Sequence, residues 1–517
     1  MRKSLSLGCI TVFSFILISN QRIGAEDVYL KQGASSATGV ESKITGRENI
    51  FKLQGASQFQ TPKELRHQVN FWKKIFTGYS TRQCVIHDNR VMDVVYEAID
   101  LTEDESKDKK LRSLAISPAL NKYRAILERL DTLSQDELQN LTGEDKRVYE
   151  LLYSNGIRKG YKDAAGRLRV QVGQSDRFKK ALSRSTLYIK DIEEIFAMNN
   201  LPIELTRLPF VESAFDINAY SWAKAAGLWQ FTRCTAKKYM RMDKFVDERL
   251  DPVKSTMAAA KLLSYNYSKL SSWPLAVTAY NHGCYGMQKA VEKTSTRDIG
   301  FIVENYDGPA FGFASRNFYT ELLAVLEILD EYDKYFSDIV FQYPESYDTV
   351  KILKPVKLSR LISATSVTVS DIQRLNPELL NSVLVSKIAL PQNYSLKIPQ
   401  GTKEILISAL EADIEKADEQ PATANLTVKT EVTEKSVKTT EIPPSREKAQ
   451  ASKKPSETVQ KTAATAAFKE HVIQKGQTLY SLARFYNIPL SEIMKINSLT
   501  NPETIKIGQV LKIPGQT

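Results

Sequence analysis

Leu208-Pro209-Phe210-Val211-Glu212-Ser213-Ala214-Phe215 sets one carboxyl among apolar side chains, and the reading of this stretch decides the rest. With Pro202 opening a helix, Leu205, Leu208 and Glu212 fall on one face by three- and four-residue spacing, so the acid shares a buried stripe with aliphatic groups. Pro209 interrupts that helix, because it lacks an N–H donor and bends or ends the helix locally. Flanked by Phe210, Val211 and Phe215, the Glu212 carboxyl loses hydration, which raises its pKa and lets it hold a proton near neutral pH. Such a group can donate a proton to a glycosidic oxygen. Taken alone, the segment fits a surface glutamate or a buried ion pair more readily than an acid catalyst.

Three further segments carry polar residues in apolar surroundings. In Ala225-Ala226-Gly227-Leu228-Trp229-Gln230-Phe231 the small residues permit close helix approach or a tight turn, and the Gln230 amide can bind a sugar N-acetyl or hydroxyl group. Core packing is the common alternative. Trp273 to Gly283 reads as an Ala-rich helix opened by Pro274 and ended by Gly283, with Tyr280 and Asn281 near its end. Those two can orient an acid and a sugar, and a satisfied buried Tyr beside a helix-ending Asn competes with that view. Ser315-Arg-Asn-Phe-Tyr319 opens an apolar helix over 320–329, and Tyr319 by itself is more often core than site.

Together the order Glu-Ser, Gly-Leu-Trp-Gln, Ala-Tyr-Asn and Tyr resembles the lysozyme-like lytic transglycosylases, most closely the membrane-bound lytic murein transglycosylase D type, over about 175–335. Asp247-Glu-Arg249-Leu-Asp251-Pro252 and Met257-Ala-Ala-Ala260 look like the same family. Thr232-Arg233-Cys234 after the Gln, and His282 and Cys284 beyond Ala-Tyr-Asn, depart from its commoner pattern. The resemblance implies a lysozyme-like helical catalytic domain over 176–340, with Glu212 as catalytic acid and then base. Glu212 would protonate the oxygen between N-acetylmuramic acid and N-acetylglucosamine, then take the proton of the muramyl C6 hydroxyl as that oxygen closes on C1. The product would be a 1,6-anhydro sugar. Ser213, Gln230, Tyr280, Asn281 and Tyr319 would bind substrate and position the acid. Ordinary glycosidases use two carboxyls at a set separation; the motifs supply one, which suits an internal nucleophile. Asp216, the nearest second acid, stands four residues on from Glu212 on the expected helix. A hydrolytic muramidase of the same fold and a catalytically idle peptidoglycan-binding scaffold are the competing readings.

Arg2 and Lys3, an apolar run from Leu5 to Ile18, and then Gly24 and Ala25 have the layout of a secretory signal over 1–25. The run is shorter than the ~20 apolar residues of a spanning helix, so we expect an exported chain, in the periplasm or cell envelope, with no transmembrane anchor in its mature form. Most of the run follows Cys9, which argues against lipidation there. A length of 517 residues exceeds one ordinary domain, and 42% hydrophobic with 25% charged content is that of folded rather than disordered chains. The net charge of +11 calls for an anionic partner. Export and the lack of a nucleic-acid motif favour cell-wall polymer over nucleic acid. Three cysteines beyond Cys9 exclude a disulfide scaffold; Cys234 and Cys284 read as two buried free thiols, with one bridge between them as the alternative. Four histidines without paired spacing argue against a metal site, and no cofactor is called for.

Residues 26–60 read as a weakly ordered lead-in. Over 61–175 apolar residues recur at helical spacing, as in Phe71-Trp72, Ile75-Phe76, Val94-Val95 and Ala98-Ile99, which predicts a helical N-terminal region. Residues 415–467 hold almost no large apolar side chains and read as a disordered linker. Over 469–515, a strand at His471, a turn at Lys475-Gly476-Gln477, a helix capped by Thr478, a second capped by Ser491 and ending at Asn497, and a last strand to Pro514 give a βααβ order. That order and its Gly-Gln-Thr-Leu and Gly-Gln-x-Leu-x-Ile-Pro phrases resemble a LysM module. The resemblance implies that Gly476, Gln477, Thr478 and Leu479, with Asn497 to Pro502, hold the N-acetylglucosamine units of peptidoglycan glycan strands. Residues 346–402 repeat the cadence: Leu375-Asn376-Pro377 and Leu396-Lys-Ile398-Pro399 parallel Ile496-Asn497 and Leu511-Lys-Ile513-Pro514. This segment lacks the Gly-x-Thr-Leu phrase, so a degenerate spacer and a second glycan-binding module stand level. The fold expected is mainly α, with small α+β modules.

Overall fold

Strand pairing, rather than helical spacing, organises the first part of the chain. In the computed structural model, which describes residues 51–53, 58–363, 365–408, 468–473, 479, 482, 490–499, 505, 506 and 508–514, β1 (Gln83–Asp88) pairs antiparallel with both β2 (Val95–Asp100) and β3 (Leu168–Val172). The expected signal segment 1–25 and the linker 415–467 lie outside the described residues. Val94-Val95 and Ala98-Ile99, expected on a helix, therefore enter and line β2. A short apolar run satisfies both periods. The pairing with β1 decides, and the β-branched and aromatic residues Val95, Tyr96 and Ile99 suit the pleat. The region 61–175 is thus α+β rather than helical. Its helix Lys109–Leu130, capped by the Asp108 carboxylate on the N–H groups of Lys110 and Leu111, buries Ile116, Tyr123, Ile126, Leu127 and Leu130 in one core with Cys84, Ile86, Val94 and Tyr96.

Two residues of the expected lead-in are core. The Phe51 ring lies 5.4 Å from Tyr332 and 6.2 Å from Phe210, and Phe59 is buried beside Tyr319. Large aromatic area outweighs the polar composition around it.

The middle of the chain is helical, with main helices Ser175–Ser185, Ile189–Met198, Pro252–Leu270, Trp273–His282, Cys284–Thr294 and Phe313–Asp330. The last begins at Phe313 rather than at 320, because its first turns bury the polar Ser315, Arg316 and Asn317, which in sequence look like a loop before the apolar run. Pro252–Leu270 starts at Pro252, with the Asp251 side chain accepting from the N–H groups of Val253 and Lys254. Its fully buried Ala258, Ala259 and Ala260 let Trp273–His282 pack close against it.

The chain divides into two compact units, 1–401 and 402–517. Within the first, β4 (Tyr347–Lys351) pairs antiparallel with β5 (Ser395–Pro399), with helices Leu358–Ser363, Val369–Leu375 and Asn381–Leu384 between them. The buried Asn376 side chain donates to the Lys397 carbonyl at 2.7 Å and accepts from the Lys397 N–H at 2.9 Å. In the second unit β6 (Phe468–Val472) pairs antiparallel with β7 (Val510–Pro514), and Asn497 does to Lys512 what Asn376 does to Lys397, at 2.8 and 2.7 Å. The two segments are one design at the level of individual hydrogen bonds. Helix Leu490–Ile496 begins one residue before Ser491, which is therefore inside it rather than its cap.

Cys84, Cys234 and Cys284 are free thiols. Cys234 is exposed and Cys284 half-buried, not buried as expected, since Cys234 faces outward on the one-turn helix Arg233–Ala236 whose inward residue is Ala236. No helix among the described residues is long and apolar enough to cross a membrane.

Candidate active site

Pro202 opens a short 3-10 segment, Ile203–Arg207, that runs into the one-turn helix Leu208–Glu212. Pro209 falls in the first turn of that helix, where a missing N–H costs nothing, so it starts the turn rather than breaking it. The chain reverses immediately after Glu212. Ala214 (φ 52°) and Phe215 (φ 55°) both take left-handed backbone, which for residues with a Cβ costs about 1–2 kcal/mol each. The reversal sends the Phe215 ring into the core, 4.7 Å from Phe210. It also takes Asp216 off the helix and out to Arg184 at 3.6 Å, so the second acid expected four residues on is ion-paired at the surface.

Ser213 donates its hydroxyl to the Leu228 carbonyl at 2.8 Å, tying this turn to the Gly-Leu-Trp-Gln segment. There, Gly227 (φ 79°) has no room for a side chain, since a Cβ would meet the Arg249 carbonyl oxygen at 1.8 Å. Gln230 donates to the carbonyls of Gly227 (2.8 Å) and Ala219 (3.1 Å), while its own buried Oε1 has no protein donor. Trp229 stacks on Phe196 and donates Nε1–H to Thr256 Oγ1 at 2.8 Å. The loop is held from below by the buried Arg249, paired to both oxygens of Asp247 and donating to the carbonyls of Lys224 and Phe231. The 346–402 unit braces the same place: Asp247 N–H donates to the Glu378 carbonyl at 2.8 Å, and Lys397 reaches Asp251 at 3.6 Å.

Tyr280 donates its hydroxyl to the Trp229 carbonyl at 2.9 Å, and its ring lies parallel to Phe318 at 6.3 Å. Asn281 points elsewhere, its Oδ1 accepting from Ser315 Oγ at 2.9 Å and so fixing the start of helix Phe313–Asp330. Tyr319 lies away from this group, beside Phe59, with its hydroxyl 3.4 Å from the Gln60 carbonyl. One residue along a helix turns ~100°, so Phe318, not Tyr319, faces Tyr280.

The Glu212 side chain is 4% exposed, and no hydrogen bond reaches it among the described residues. Burial, with the Glu321 carboxyl as the second cause, holds its pKa well above the ordinary value. Burial and the charge of Glu212 raise the Tyr280 phenol in turn, which places acid and phenol within electrostatic reach. Glu321, on Phe313–Asp330, is pushed up to about 8 by burial against the opposing pull of Arg169. Sequence reading passed over Glu321. The available signal was an acid set directly before the apolar run Leu322 to Leu326. Of the expected glycan-binding positions near the C-terminal side, Gly476, Gln477, Thr478 and Pro502 lie outside the described residues, while Leu479 is buried and Asn497 bonds Lys512.

Residues 192–301 match the family described as Transglycosylase SLT domain, and residues 471–514 the LysM domain. The chain is 24% identical over 323 residues to membrane-bound lytic murein transglycosylase D of Escherichia coli K12, covering 58% of this chain and 71% of that protein. A putative tributyltin chloride resistance protein of Alteromonas sp. strain M-1 is 36% identical over 103 residues, 20% of this chain and 50% of that one. An inactive variant of the lytic transglycosylase Slt of Pseudomonas aeruginosa aligns in structure over 45% of this chain and 36% of its own, at 18% identity and a TM-score of 0.25. The chain thus carries a Transglycosylase SLT domain around Glu212 and a LysM domain after it, and is similar to lytic murein transglycosylases.

Proposed function

We propose that the protein cleaves the β-1,4 bond between N-acetylmuramic acid and N-acetylglucosamine in peptidoglycan with formation of 1,6-anhydro-N-acetylmuramic acid, held on glycan strands by its LysM module. The observation that carries this reading is the place of Glu212: a buried carboxyl, 4% exposed and without a hydrogen bond among the described residues, whose burial holds its pKa well above the ordinary value and so favours the protonated form. It gives that proton to the bridging oxygen as the C1–O bond breaks. The carboxylate left behind is poorly solvated and a strong base, so it takes the proton of the C6 hydroxyl while O6 bonds to C1. One proton leaves the carboxyl and one returns, and no water is consumed.

Ser213, Gln230 and Tyr280 position the acid and the sugar, while Asn281 fixes the start of helix Phe313–Asp330 through Ser315 and Tyr319 anchors that helix from its other side. Hydrolysis would need a second, ionised carboxyl to activate water. Asp216 is bound to Arg184, and Glu321, titrating at about 8, is protonated at neutral pH, which favours the internal nucleophile. The two LysM loops, at 476–479 and 497–502, hold N-acetylglucosamine units, and the 346–402 unit is a second module of the same design. The protein acts in the periplasm or cell envelope after export. Digestion of purified murein followed by weighing of the fragments tests this. The product expected is lighter by one water than a hydrolytic product, and Glu212→Gln releases nothing. Fragments at the hydrolytic mass would replace the mechanism with a muramidase, and no release by the wild type would leave a wall-binding scaffold.

A further inference from the structure

Between the three-stranded sheet and helix Phe313–Asp330 lies a cavity of about 280 Å³. Its N-terminal wall is cationic: Lys109 and Arg112 stand at the start of helix Lys109–Leu130, Arg169 on β3 and Arg177 on helix Ser175–Ser185. The opposite wall holds Val211, the residue before Glu212, and a single carboxyl, Glu321. Four basic side chains therefore face one acid. Burial keeps that acid protonated at neutral pH, so it does not offset them.

Arg169 is the informative member. Its guanidinium lies 3.8 Å from the centre of the Phe313 ring, and its buried Nε has no protein partner. A buried donor left unpaired costs about 1–3 kcal/mol; an acceptor supplied from outside removes that cost. In a partly enclosed space of low dielectric, several guanidinium groups select a carboxylate, which the planar fork can grip with two hydrogen bonds. The polymer assigned above offers such groups beside the scissile bond, because its muramyl residues carry peptides ending in, and substituted with, carboxylates.

We propose that this cavity is the subsite for a carboxylate of the peptide borne by the muramyl residue under cleavage, with Arg169 and Arg112 as specificity-determining residues. The α+β region before the SLT domain then has a task, which is to read the peptide while Glu212 acts on the sugar. This rests on the reading of Glu212 as the acid at the muramyl bond.

The test compares soluble glycan oligomers carrying intact peptides with the same oligomers after carbodiimide amidation of their carboxyls, so that length and sugar are constant and only charge changes. The wild type is expected to prefer the free-carboxyl substrate by about tenfold or more in kcat/KM, and Arg169→Gln to bring that ratio close to one. Arg112→Gln, on helix Lys109–Leu130, should lower the same ratio and serves if the Arg169 substitution does not fold. A wild-type ratio near one, or a ratio unchanged in the folded variants, overturns the proposal while leaving the anhydro-forming activity standing. Failure of the wild type to cleave either substrate overturns both.

Discussion

Glu321→Gln exchanges a buried titrating group for one of the same shape that cannot ionise. In the folded chain this carboxyl titrates near 8, against 4.5 for an unperturbed glutamate. Between those values the folded chain keeps a proton that the unfolded chain has already released, so the native state binds more protons and stability falls as pH rises. Below the lower value both states are protonated and the contribution vanishes. At ~1.4 kcal/mol per pH unit, the wild type should lose about 3 kcal/mol relative to the variant between pH 5 and pH 8. Urea unfolding followed by tryptophan fluorescence measures this, since all four tryptophans lie in the unit 1–401; subtracting variant from wild type at each pH cancels the other titrating groups. Parallel curves for the two proteins would refute the buried, proton-holding state of Glu321. A second readout follows from its neighbour. The ionised Glu321 raises Glu212, so in the variant the high-pH limb of murein release should fall at lower pH than in the wild type.

Gly227→Ala should destabilise the protein by about 3 kcal/mol, from positive φ and a collision with the Arg249 carbonyl, and an unchanged denaturation midpoint would contradict the turn described. Asn376→Ala removes its hydrogen bonds to Ile372, to both backbone groups of Lys397 and, at 3.4 Å, to the Tyr394 hydroxyl, at about 1 kcal/mol for each of the shorter ones, and should lower the unfolding midpoint of the first unit. Asn497→Ala should do the same to the second unit, read by proteolysis of the isolated transition; a large effect at one Asn and none at the other would undo their equivalence.

Much of the site was legible because its residue types leave few options. An acid between Phe210, Val211 and Phe215 has to be dry or exposed, and the chemistry follows from which. The small residues before Trp229 permit a tight turn or a close helix approach, and the structure has the turn, at Gly227 with φ 79°. Tyr319 shows the limit: on a helix buried all round, every residue looks like core, and the 100° between neighbours decides which one faces the site. The sheet in the N-terminal region shows another limit. Six-residue runs such as Val95–Asp100 fit two periods equally, and only a partner strand chooses.

Local covalent and steric rules, written in sequence, determined the caps at Asp108 and Asp251, the helix end at Gly283 and the repeat of the two asparagine-pinned modules. What only the tertiary structure decided is which charges share a space: that Asp216 leaves for Arg184, that Glu321 arrives beside Glu212 from more than a hundred residues away, and that three cations of the N-terminal region join Arg177 in lining a cavity next to the acid. Electrostatic energy depends on distance and on the dielectric between groups, and neither exists until the chain has closed its long loops.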